Sequence, residues 1–199
     1  MNSTSNTRTS LFLMELIISV LFLSLSGAVC VQMFVKAHLT GKKSVDTNNA
    51  VIWTQNLSES FQGVDGDIDR LFDLYDTLCV RVDPVDDSDN EGTLILFMDS
   101  DWNSIEYPAS DLSGVSASFE VFIRIRRISA YDLYKDTDIS ADSKSLLQDS
   151  GLMTRCADIV VMNVEGNGLV DEIPENPVPG EGGVISAVTA TCITKGDKR

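Results

Sequence analysis

Residues 11–35 read LFLMELIISVLFLSLSGAVCVQMFV. An α-helix needs roughly 20 apolar residues to cross a bilayer core of about 30 Å, and this run is long enough. Glu15 breaks the pattern. A carboxylate in hydrocarbon costs about 2.5–3.5 kcal/mol even on a lenient insertion scale, and such a group usually has a partner. No base lies close in sequence: Arg8 is seven residues back, and Lys36 follows the run. The segment therefore reads as a membrane helix whose charge finds its partner outside the chain.

Outward from this run the sequence falls into four parts. Residues 1–10 are a short polar leader or cytoplasmic tail, 11–35 the transmembrane helix, 36–62 its amphipathic continuation, and 63–199 an acidic β-rich globular domain. In the continuation, Ala50, Trp53, Leu57 and Phe61 fall on one helical stripe. Gly27 and Gly41 are the weak points of a helix running from about residue 11 to about residue 62, and Gly63 and Gly66 end it. Asp67 caps a short second helix, IDRLFDLY, with Ile68, Leu71, Phe72 and Tyr75 on one face.

From residue 77 the pattern turns to strands. TLCVRV alternates, with Leu78, Val80 and Val82 on one side, and TLILFM reads as a central strand. FEVFIRIRRI places Phe119, Val121, Ile123 and Ile125 on one face and Arg124 and Arg126 on the other. ADIVVMNV and VISAVTATCIT complete the set. Two stretches read as long loops, functional or mobile: a polar 129–155 with one helical turn around Lys144–Leu147, and 165–183, rich in Gly, Pro and acid. The expected fold is α+β. A long N-terminal helix packs on an antiparallel sheet of four to five strands, and the Ala50–Phe61 stripe covers one face.

The chain has a net charge of −15. Residues 1–43 hold four of the 15 bases and one of the 30 acids, so the remainder carries 11 bases against 29 acids, a net −18. Such a domain repels nucleic acid and anionic headgroups, so nucleic-acid binding is not expected of it. Catalysis has little to work with. The chain holds one histidine, His38, and no Ser/His/Asp or Cys/His set, phosphate loop or zinc spacing is recognisable. We expect no enzyme and no cofactor. Asp87, Asp89 and Glu91 resemble the first half of a calcium loop, but position twelve is Met98; a solvated acidic turn is the competing reading. Asp171, Glu172 and Glu175 form a further acidic loop. Cys156 and Cys192 fall on the last two strands, where either a disulfide or two buried free thiols fits.

The N-terminus resembles that of type IV pilins and type II secretion pseudopilins. The match is S-LFLME: Ser10 stands before the processing site, Leu11 is the first mature residue, and Glu15 is the fifth. The family prefers glycine where Ser10 stands. The resemblance implies cleavage after Ser10 by a prepilin peptidase, N-methylation of Leu11, and pairing of Glu15 with the α-amino group of a neighbouring subunit. It also implies homologous pilin or pseudopilin subunits and an assembly platform as partners. The N-terminus would lie inside and the globular domain outside the cytoplasmic membrane, on a cell-surface filament once assembled. Two other readings stand beside it. One is a single-pass membrane-anchored extracytoplasmic binding domain that does not polymerise. The other is a secretory signal peptide, with Arg8 as its basic region, Leu16–Leu25 as its apolar region and Ser26-Gly27-Ala28 as its cleavage site. Glu15 and the apolar continuation to Val35 argue against the signal peptide.

Overall fold

The computed structural model describes residues 3–82, 91–106, 117–165, 169–170, 173–174 and 177–192, with side chains described from Ser10 onward. The elements are helix α1 (Ser3–Gly63), α2 (Ile68–Tyr75), a 3-10 turn (Asp76–Leu78), strands β1 (Cys79–Val82), β2 (Gly92–Met98) and β3 (Phe119–Ser129), helices α3 (Ala130–Tyr134) and α4 (Ala141–Ser150), and strands β4 (Met153–Asn163) and β5 (Val184–Cys192). The chain divides into two units, Met1–Asp46 and Thr47–Arg199.

In the first unit every described side chain of residues 10–45 is solvent-facing, and Gly27 and Gly41 lie inside unbroken helix. The helix begins earlier than residue 11, because the polar residues 3–10 are helical as well. Its one run of apolar residues is long enough to cross a membrane.

The second unit is an α+β domain on a five-stranded antiparallel sheet of order β1-β2-β3-β4-β5. Residues Thr47–Gly63 of α1 belong to this unit, so the amphipathic continuation is a part of the globular domain. The stripe read from the sequence is the one buried: Ala50, Leu57 and Phe61 are fully buried, and Trp53 packs against the same core. They meet Leu94, Leu96, Val121, Ile123, Ile125, Ala157, Ile159 and Val161, which alternate along β2, β3 and β4 and so share one sheet face. Asp67 caps α2 by accepting the backbone N–H groups of Asp69 and Arg70 at 3.0 and 3.2 Å. Ile68 and Leu71 close the core beneath.

The other sheet face is apolar over part of its area. Ile95, Phe97, Phe122, Val160, Met162 and Val184 form a second apolar cluster with Val164 and Ile173. Residues of the 165–183 loop contribute to it through Leu169, Val170 and Ile173, so that segment serves the core. Glu120, buried in β3, ties it down by accepting the Val170 N–H at 3.0 Å.

One further expectation needs correction, and two strands need a finer description. Residues 129–155 are not a polar loop: β3 runs to Ser129, β4 starts at Met153, and two helices lie between. Both helices start on serine caps. The Ser129 hydroxyl accepts Asp132 N–H at 3.0 Å, and the Ser140 hydroxyl accepts Ser143 N–H at 3.2 Å. Gly151, at φ 56°, closes α4 in the left-handed region. In β1 the deeply buried residue is Cys79, on the helix side, whereas Val82 is 46% exposed. This edge strand is only four residues long and its Val80 faces the second cluster, so alternation there did not report the helix-side core. The run TLILFM is an interior strand, β2, as read from the sequence, with β3 in the middle of the sheet.

One turn carries a strained residue. Trp102 sits at φ 66°, a region that bulky residues avoid. Asp99 accepts the N–H groups of Asp101 and Asn103 at 2.9 Å and the Asn103 amide at 3.0 Å, and Trp102 stacks on Phe119 with centroids 4.1 Å apart. These hydrogen bonds hold the Asp99 carboxyl below its usual range.

Leu57→Ala should lower the stability of the domain by about 2–5 kcal/mol, and Leu146→Ala, on exposed α4, by no more than about 0.5 kcal/mol. Chemical denaturation of the full chain in detergent measures both.

Candidate functional site

The residues expected to carry assembly lie on α1. Ser10, Leu11 and Glu15 are all exposed, and Glu15 follows Leu11 by about one helical turn. The surrounding side chains, Phe12, Leu13, Met14, Leu16, Ile17 and Ile18, are exposed around the whole helix, so the helix has no inward face of its own. Two serines farther along the run, Ser24 and Ser26, are suited to hydrocarbon. The Ser24 hydroxyl donates to Leu21 O at 2.9 Å and that of Ser26 to Phe22 O at 2.8 Å, so neither presents an unmet donor. Glu15 is different. Among the described residues its carboxylate has no hydrogen-bond or ion-pair partner.

The cysteine and calcium candidates fare otherwise. Cys30, Cys79, Cys156 and Cys192 are free thiols. A disulfide between Cys156 and Cys192 is excluded by register: Cys156 stands opposite Thr191 and Cys192 opposite Arg155. One position of offset turns the two side chains to opposite sheet faces. Burial pushes the Cys79 thiol up to about 11, with Asp76 adding to the effect. Burial also raises Cys156 and Cys192; Asp158 and Asp65 respectively add to it, and Arg126 and Arg155 oppose it. Asp87 and Asp89 lie outside the described residues, as do Asp171, Glu172 and Glu175. Glu91 spends a carboxylate oxygen on the Arg127 N–H at 2.7 Å, which holds the start of β2 to β3. Among the described residues no group of three or more His, Cys, Asp or Glu is placed to hold a metal ion.

The sequence did not single out Asp158. Its position on β4 places it between Arg124 of β3 and Thr189 of β5 in one cross-strand row. Asp158 Oδ2 accepts Arg124 Nη2 at 3.2 Å and Arg126 Nε at 3.0 Å, while Oδ1 accepts the Thr189 hydroxyl at 2.9 Å. The two arginines were legible as one face of FEVFIRIRRI; their carboxylate comes from a strand more than 30 residues on. The cluster borders a groove of about 400 Å³ shared with Val160, Val178 and Val188. It contains two guanidinium groups, one carboxylate and the Thr189 hydroxyl, with the carboxylate engaged by all three. Its chemistry is charge pairing. A second groove, about 340 Å³, lies on the other side of β5 between Val51, Gln55, Ser58 and Glu59 of α1 and Ser186 and Val188. Thr54, buried beside it, donates to Ala50 O at 2.6 Å, and its hydroxyl oxygen lies within hydrogen-bond distance, 3.2 Å, of the Ser186 hydroxyl.

No protein-family model, no curated protein and no solved structure matches the chain.

Two outcomes follow from this geometry. Asp158→Asn should lower stability by about 1–3 kcal/mol, because two guanidinium groups lose their counter-charge; denaturant midpoints of the full chain read this. The second concerns pH. The unfolded Cys79 thiol ionises near 9.0 and the folded one near 11, so ionisation favours the unfolded chain. Its contribution is complete below the lower value and is lost as pH rises through the upper one. The drop in denaturation midpoint between about pH 8 and pH 10.5 should therefore be smaller in Cys79→Ala than in the native chain.

Proposed function

We propose that this chain is a structural subunit of a type IV pilus-like or pseudopilus filament, assembling through its hydrophobic N-terminal helix. One observation carries the reading: Glu15 stands one turn after Leu11, on a helix apolar around its whole circumference, with no partner among the described residues. An unmet carboxylate at membrane depth is costly, and a cation from another chain would relieve it. Cleavage after Ser10 would create such a cation, the α-amino group of Leu11, at the start of every neighbouring helix. Pairing it with Glu15 would also set the axial register between subunits. The helices would bundle through the side chains of residues 11–35, and the acidic domain would face outward. Prepilin peptidase, an N-methylating activity at Leu11 and an assembly platform act on the chain in this reading. The N-terminus lies on the cytoplasmic side of the membrane and the globular domain on the other. Work of this kind asks for no active site, and we read the chain as a structural protein with no enzymatic activity.

Ser10, in place of glycine, favours a second reading: an uncleaved single-pass protein that presents its domain as a binding module. The mass of the mature N-terminus separates the two. A chain starting at methyl-Leu11 is the expected result, and an intact leader would support the second reading. Glu15→Ala should reduce incorporation into filaments by at least about tenfold while leaving the domain folded. Unchanged incorporation would remove Glu15 from assembly.

A further inference from the structure

The sheet has two edges of different character. β1 is four residues long, and its Arg81 is ion-paired with Asp69. β5 runs nine residues, VISAVTATC, without a charge or a proline. Among the described residues it pairs with β4 on one side and with no strand on the other. Native proteins normally blunt such an edge with lysine, proline or a very short strand. Apart from an irregular register at its start, between Val161 and Met162 of β4, β5 is not blunted.

Both flanks of this edge are concave. The Arg124–Asp158 groove lies on one face and the α1 groove on the other, and Val188, 44% exposed, borders both. A strand added to an edge sends alternate side chains to opposite faces and needs room on each.

Direction and charge point to one strand. Each neighbouring pair in the sheet is antiparallel, so with five strands β1 and β5 point the same way. The part of α1 in this domain also runs with β5: Thr54 meets Ser186 near the start of β5, while Gly66 meets Arg155, which stands opposite Cys192 at its end. A two-fold β5–β5 pair would be antiparallel and would set these two helix segments in opposite senses. A parallel β5–β1 pair keeps them in the same sense, and because it joins different edges it can repeat from subunit to subunit, as a filament requires. Apolar side chains stand exposed beside both edges: Val51 and Val188 at one, Leu74 and Val82 at the other. Charge agrees. The sequence after β1 carries Asp83, Asp86, Asp87 and Asp89, and that after β5 carries Lys195, Lys198 and Arg199 against Asp197. A parallel pair brings the points where both begin, Val82 and Cys192, to the same end of the seam.

We propose that β5 receives β1 of a second copy of this chain as a parallel sixth strand, extending the sheet from subunit to subunit. The proposal rests on the reading of the chain as one that assembles with copies of itself. The test places a benzophenone amino acid at position 188 of the full chain in its native membrane. Assemblies are sedimented, irradiated and digested with trypsin. The expected product joins the Cys156–Lys195 peptide to Leu71–Arg81, or to the first residues of Val82–Arg124. Within one subunit these edges are four strand spacings apart, about 19 Å, so this product comes from a neighbour. In parallel, Val188→Lys should cut sedimentable assembly by about tenfold, with the far-ultraviolet circular dichroism unchanged, while Leu146→Lys on exposed α4 leaves assembly intact. Crosslinks to the neighbour's β5, to another protein, or only within the subunit would overturn the β5–β1 seam while leaving assembly standing. Absence of any sedimentable assembly of the native chain would overturn both.

Discussion

The fold depends on closing a sheet that is apolar on both faces. β2, β3 and β4 carry alternating sets of large apolar side chains, so neither face can be left to water. Ala50, Leu57 and Phe61 of α1 close one face. The chain that returns between β4 and β5 contributes Ile173, Leu169 and Val170 to the other. A segment that composition marks as a polar connection is thus part of the core, and the buried Glu120 is the polar residue that holds it there.

The same helix sets the division of labour in the chain. Its amphipathic end is consumed by the domain, and its N-terminal run has apolar residues on every side. A helix of that kind finds burial only in lipid or against other helices. Ser24 and Ser26 turn their hydroxyls back onto their own helix, and Glu15 is the one charged residue of the run. A net charge of −15 opposes close approach of such chains in solution, least where local charge is lowest. Among the described residues, the apolar run of the N-terminal helix and the uncharged β5 strand have this character.

Some of this was legible residue by residue. The helical stripe, the Asp67 cap, the face of β3 bearing Phe119, Val121, Ile123 and Ile125, and the opposed Arg124 and Arg126 follow from periodicities of 3.6 and 2. Burial confirms each of them. The helices between β3 and β4 were missed, although Ser129, Ser140 and Gly151 are the caps that announce them; neither helix has a strong apolar face, and α4 has no buried residue at all. β1 misled because a four-residue edge strand alternates too briefly to show which of its faces is the core.

What the sequence determined by itself is local: where the chain is apolar, with what period, and where it must turn. That was enough for a membrane-length helix, an α+β class and the spacing of Leu11 and Glu15. Only the tertiary structure decided what depends on strand register and order. It placed Asp158 between two arginines, turned Cys156 and Cys192 to opposite faces, covered the second sheet face with the β4–β5 connection, and left β5 as the long uncharged edge. The physical reason is that periodicity records which side of an element is apolar, whereas its partners are fixed by contacts with residues distant in the chain, whose alignment no local pattern encodes.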